Sequence, residues 1–72
     1  MAQGNDFQYQ TTNQPGGGIF MNSLAEAETA AQEECNAGAG ARAAELVNGV
    51  WNITFECGNT GPLPVMTAAP EA

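Results

Sequence analysis

Val50–Cys57 reads VWNITFEC, and the reading of these eight residues decides the fold. β-branched and aromatic residues dominate, and apolar and polar positions alternate with period two. The pattern predicts a strand with Trp51, Ile53, Phe55 and Cys57 on one side. Val50, Asn52, Thr54 and Glu56 take the other side, and Gly58-Asn59 ends the strand. One half-buried strand needs a cover, and the stretch before it supplies a helical pattern.

That stretch begins at Asn22-Ser23. Ser23-Leu24-Ala25-Glu26 is a capping box, in which the Ser23 hydroxyl accepts from the Glu26 amide. Glu26 and Glu28 fall in the first turns, where the helix dipole favours anions. Leu24, Ala27, Ala31 and Cys35 share a face at helical spacing, whereas Glu26, Glu33 and Glu34 point elsewhere. Glycines at 38 and 40 interrupt, each costing about 1 kcal/mol relative to alanine inside a helix. Cys35, Ala39, Ala43 and Leu46 nevertheless continue the stripe. The expectation is one long helix with a weak middle at Gly38–Gly40, or two helices with a short break there. RAAELVNG, residues 42–49, reads as helical with Asn48-Gly49 as its C-terminal stop. The fold class expected is small α+β: a capped helix packed on a short strand or small sheet, with Leu24, Leu46, Trp51, Ile53 and Phe55 in the core.

Both ends of the chain read as extended arms. Residues 1–18 are rich in Gln, Asn, Thr and Gly, and Pro15 with Gly16, Gly17 and Gly18 forms a hinge. Inside this arm FQYQT, residues 7–11, alternates like a short strand, which is stable only on a sheet edge. Residues 59–72 are punctuated by proline. Pro62 and Pro64 confine Leu63, Val65 and Met66 to an edge or a surface groove. The division expected is therefore an arm (1–18), a helix–strand core (19–58) and a second arm (59–72). Phe7, Tyr9, Leu63, Val65 and Met66 are the expected interface anchors.

Cys35 and Cys57 lie 22 positions apart, one on the apolar face of the helix and one on that of the strand. They are neighbours if those faces meet. A bridge between them contributes about 3 kcal/mol in the chain-entropy model. Two buried thiols, a redox pair and bonds to neighbouring subunits are the competing readings. The spacing is not Cys-x-x-Cys, and no cation adjoins either thiol to activate it.

Seventy-two residues make one small domain, and thirteen of the apolar ones are alanine. So little core predicts a chain fully ordered only within an oligomer. Eight acids face one cation, Arg42, for a net charge of −7. Nucleic acid and anionic membrane need cations and are discarded as partners. No residues match a catalytic or cofactor pattern. Histidine and lysine are absent, the one serine is a cap, and PGGG is not followed by the Lys-Ser/Thr of a phosphate loop. Two cysteines without histidine do not make a structural zinc site. The glutamates at 26, 28, 33 and 34 lack a calcium-loop pattern. No enzyme, metal or cofactor is expected. Arg42 pairs with Glu45 at i+3 or anchors a carboxylate on a partner. Asn52-Ile53-Thr54 matches a glycosylation acceptor and is read as the polar face of the strand. The first residues lack the basic and apolar regions of a secretory signal, so use without export is expected.

Arms, a small centre and an acidic surface, with Ala/Gly/Thr/Asn richness across the whole chain, resemble the small decoration or cement proteins of tailed-phage particles. That resemblance implies a virion location and a role in binding neighbouring subunits of an assembly. GGGIFMNSLAEAETA (16–30) with NGVWNITFECG (48–58) is similar to the repeat of small mannan-binding lectins. That likeness implies Phe20 and Trp51 stacking on sugar and Asn22 and Asn52 bonding its hydroxyls. A secreted two-cysteine pilus or effector component, and hence an extracellular location, is the third reading.

Overall fold

A computed structural model describes residues 6–66. Residues 1–5 and 67–72, the outer parts of the two expected arms, lie outside the described residues. The chain runs β1 (Phe7–Thr11), β2 (Gln14–Met21), α1 (Leu24–Asn36), β3 (Ala41–Val47) and β4 (Val50–Cys57). The four strands form one sheet in the order β2-β1-β3-β4, every neighbouring pair antiparallel. α1 packs across one face. The architecture is the small α+β expected, with one helix on a four-stranded sheet.

α1 starts as its capping residues dictate. Ser23 is extended, and its Oγ accepts from the Glu26 amide at 3.2 Å. The helix stops at Gly38, which takes φ +100°. There the Gly38 amide donates to Cys35 O and the Ala39 amide to Glu34 O, a Schellman closure. The break expected at Gly38–Gly40 is therefore present, but the segment beyond it is not a second helix.

Residues 41–47 form β3, the partner of both β1 and β4. Their helix propensity is overridden by pairing on two sides. Alanine suits this place for a steric reason. Ala41 and Ala43 are fully buried against fully buried Ala27 and Ala31 of α1. Small side chains on both surfaces bring helix and sheet close, and Phe7, Tyr9, Met21, Leu24, Phe55 and the two cysteines complete the core around them. Asn48-Gly49 is a hairpin turn rather than a helix stop. Both residues have positive φ, 52° and 79°, as the tight primed turns of β-hairpins require.

The N-terminal arm is also revised. Phe7–Thr11 is an interior strand, and Gln14–Met21 is the edge strand beside it. Between the Tyr9–Ile19 and Thr11–Gln14 pairs, residues 15–18 stand opposite Gln10 alone. The Pro-Gly-Gly-Gly run is thus a bulge in an edge strand, the position that tolerates proline.

A second bulge splits the face read from VWNITFEC. Ala43 pairs with Phe55, but Ala44 pairs with Ile53, so Thr54 bulges out of the register. Residues directly opposite share a face. Phe55 and Cys57 therefore lie with Ala43 and Ala41 towards α1. Trp51 and Ile53 lie with Leu46 and Ala44 on the far side. Leu24 and Phe55 pack on the core as expected. Leu46, Trp51 and Ile53 belong instead to the opposite face of the sheet.

Candidate interaction surface

The sheet face away from α1 has a polar floor. Gln8 and Gln10 are each only 1% exposed, although period-two reading marks them as outward. β1 is interior, Gln8 lies against Gly18 of β2, and the C-terminal segment crosses Gln10. That segment leaves β4 through an Asn59 turn, where the Gly61 amide donates to Asn59 Oδ1 at 3.1 Å. The Leu63 amide then donates to Thr60 O. Pro64 O accepts two bonds, from Gln10 Nε2 at 2.9 Å and from Arg42 Nη2 at 2.7 Å. Arg42 Nε donates to Gln10 Oε1 at 2.6 Å. Arg42 thus serves as a clamp for the C-terminal segment. It faces Glu56 across the strands and lies on the opposite side of β3 from Glu45, so the i+3 pair of the helical reading does not form.

Beyond the clamp lies a groove of about 450 Å³ lined by Arg42, Val50, Trp51, Ile53, Val65 and Met66. Met66 is buried at one wall, while Val65 is 85% exposed. Trp51 meets Phe20 edge-on, with ring centroids 6.1 Å apart and an interplanar angle of 63°. Trp51 Nε1 is buried without an acceptor among the described residues. The large apolar side chains exposed among the described residues are Val47, Val50, Ile53 and Val65. Val47 and Val50 pair across the hairpin tip, and the other two line the groove beside it. They gather at one corner of the molecule.

The expected anchors divide accordingly. Phe7 is 8% exposed and belongs to the core, with Tyr9 packed beside it. Phe7 is thereby withdrawn from the surface, while Tyr9 stays partly exposed. Leu63 is half-buried, and Val65 and Met66 lie at the groove. Of the residues implied by the lectin likeness, Phe20 and Trp51 meet. Asn22 is exposed ahead of α1, and Asn52 is exposed opposite Glu45 on the helix side, its Nδ2 donating to Val50 O.

On the helix side a second polar node ties three elements. Thr11 Oγ1 and Asn13 Nδ2 both donate to Glu34 Oε1, at 2.9 and 3.0 Å. Thr12 and Gly40 exchange bonds next to it. Burial pushes the neighbouring Tyr9 hydroxyl above its ordinary value, and the Glu34 and Glu33 carboxylates add to the rise. The same end of the molecule carries the intrachain Cys35–Cys57 disulfide, with Cα atoms 6.2 Å apart. Gly40 and Gly58 sit beside it, and a side chain on Gly40 would meet the Asn59 backbone.

Neither Gln8, Gln10 nor Glu34 stands out in the sequence as a structural polar residue. The one available signal is the Gln-x-Gln repeat in a strand pattern in a chain that has a single arginine to match it. Among the described residues no group of three or more Cys, Asp, Glu or His side chains is placed to hold a metal, and no helix is long and apolar enough to cross a membrane. Comparison with known proteins gives no match: no family model fits the chain, and none of the curated proteins or solved structures matches it.

Proposed function

We propose that this protein is a structural interaction module, a decoration or cement component of a virion or similar assembly that binds a neighbouring protein subunit. The observation that carries the reading is the apolar corner. Val47, Val50, Ile53 and Val65 are exposed together at the β3–β4 tip and the adjoining groove. A contiguous apolar patch on so small a protein is a contact surface in search of cover. Trp51 lines the same groove as Val50, Ile53 and Val65, and large aromatic side chains supply much of the binding energy at interfaces. The corner takes the anchoring role that the sequence pattern assigns to Phe7 and Tyr9. Acidic side chains elsewhere keep the free protein dispersed and favour a subunit surface of neutral or positive charge.

The experiment is a double change, Val50→Asp with Ile53→Asp. Val50 is 60% and Ile53 45% exposed, and circular dichroism with thermal melting establishes first that the variant is folded. Sedimentation of the native assembly should then leave the variant free at 7.4 kDa while the parent travels with the large particle. Retention of the variant on the particle overturns the reading.

A carbohydrate-binding module is the second reading, favoured by the edge-on contact of Phe20 with Trp51, both partly exposed. It requires Trp51-dependent binding of a free mannose-type glycan. A glycan array with the parent and Trp51→Ala decides it.

A further inference from the structure

The C-terminal segment behaves as a ligand of the sheet rather than as part of it. Leu63–Met66 joins no strand. One carbonyl, Pro64 O, receives bonds from both Gln10 and Arg42 of the floor, and Met66 is the side chain it buries there. The floor beneath is polar, built from Gln8, Gln10 and Arg42, so little apolar area holds the segment down. The segment's link to β4 is short, with the Asn59 and Thr60 turns followed by Pro62 and Pro64. If the segment lifts, Trp51 and Ile53, which share a groove with Val65 and Met66, lose that cover.

We propose that this face exchanges its strap between copies, so that Leu63–Met66 of a second copy takes the place of the chain's own segment. The second copy is the fitting occupant because its segment repeats every contact already present: a carbonyl for Gln10 and Arg42, and a methionine for the groove wall. Such an exchange needs no new surface and is a low-cost route to a dimer. Closed in cis, the strap competes at an effective concentration of about 1 mM. Exchange therefore belongs to crowded settings such as a lattice, and dilute protein is a closed monomer. The net charge of −7 opposes the approach of two copies, so salt promotes exchange. The exchange uses the same groove as the proposed subunit contact through Val50 and Ile53, and the two are told apart by their readouts.

The test mixes equal amounts of isotope-labelled and unlabelled full-length chain at about 1 mM or above, in moderate salt. Light scattering should give a doubled mass. Isotope-filtered NOE spectra should show the Met66 methyl of one copy against the Trp51 indole of the other. The chain has one tryptophan, so the indole resonance is unambiguous. Met66→Asp should restore the monomer. Met66→Ala serves the same end should the aspartate variant fail to fold. A monomer at that concentration overturns the proposal, as does a dimer whose Met66–Trp51 contacts are all within one chain. The distinction from subunit binding is clean: Val50→Asp with Ile53→Asp is read on the assembly, and the exchange is read on the protein alone.

Discussion

Glu34 occupies the last turn of α1, where the helix dipole disfavours an anion. Its carboxylate is kept there by Thr11 and Asn13, which fasten the β1–β2 turn to the helix end. Glu34→Ala leaves the Thr11 hydroxyl, on a residue 1% exposed, without that acceptor. We expect a loss of about 1–3 kcal/mol, read from urea unfolding. Tyr9 lies beside this carboxylate, and its hydroxyl titrates above the ordinary value of 10.0. The folded chain thus holds the neutral phenol more tightly than the unfolded chain does. Its contribution to stability is intact below pH 10 and is lost as pH climbs through the unfolded value and then the raised folded one. Tyr9→Phe should flatten the alkaline fall in stability. Urea midpoints compared at pH about 9 and about 11 check this. At this scale the sequence is only partly legible. The Ser23 cap and the Leu24-Ala27-Ala31-Cys35 face follow from local spacing. Gln8 and Gln10 do not: Gln10 is covered by a segment more than fifty residues away, and Gln8 lies against Gly18 of the neighbouring strand.

At the scale of elements, the helix and β4 are legible and β3 is not. α1 carries its own start and stop signals in Ser23 and Gly38. β4 carries β-branched and aromatic residues. Ala41–Val47 has the composition of a helix and becomes a strand because β1 and β4 flank it and because α1 needs alanine beneath it. The bulge at Thr54 has no sequence mark of its own, yet it decides that Trp51 and Ile53 leave the core that Phe55 and Cys57 enter. The core is correspondingly thin. Phe7→Ala removes its buried aromatic ring and should cost about 3–5 kcal/mol. The result should be unfolding at modest denaturant rather than release of a folded protein from a partner. The disulfide joins the last turn of α1 to the last residue of β4. Cys35→Ser with Cys57→Ser should lower stability by about 3 kcal/mol, measured by calorimetry against the oxidised parent.

Over the whole molecule, the sheet presents two unlike faces. One is sealed by a helix that meets it through alanines and is stapled at the far end. The other is closed by a short segment and ends in an apolar corner. This asymmetry leaves the exposed apolar side chains Val47 and Val50 at the β3–β4 tip, away from the stapled end. β1 precedes β3 in the chain with β2 and α1 between them, and its interior place requires β3, with Phe7 opposite Glu45. Contacts of such sequence separation slow folding relative to a helical protein of this size.

The Asn48-Gly49 turn is exposed at the outer tip, and the two half-cystines lie on either side of it in the sequence. Exposed turns are where proteases cut. One cut there divides the polypeptide into a fragment with β1, β2, α1 and β3 and another with β4 and the strap. The Cys35–Cys57 bond still ties them. The clipped protein should migrate as one band on a denaturing gel without reductant and as two with it. It should keep its far-ultraviolet circular dichroism until thiol is added. A protease at the tip thus turns a single-chain fold into a two-chain one whose survival depends on the redox state of its surroundings.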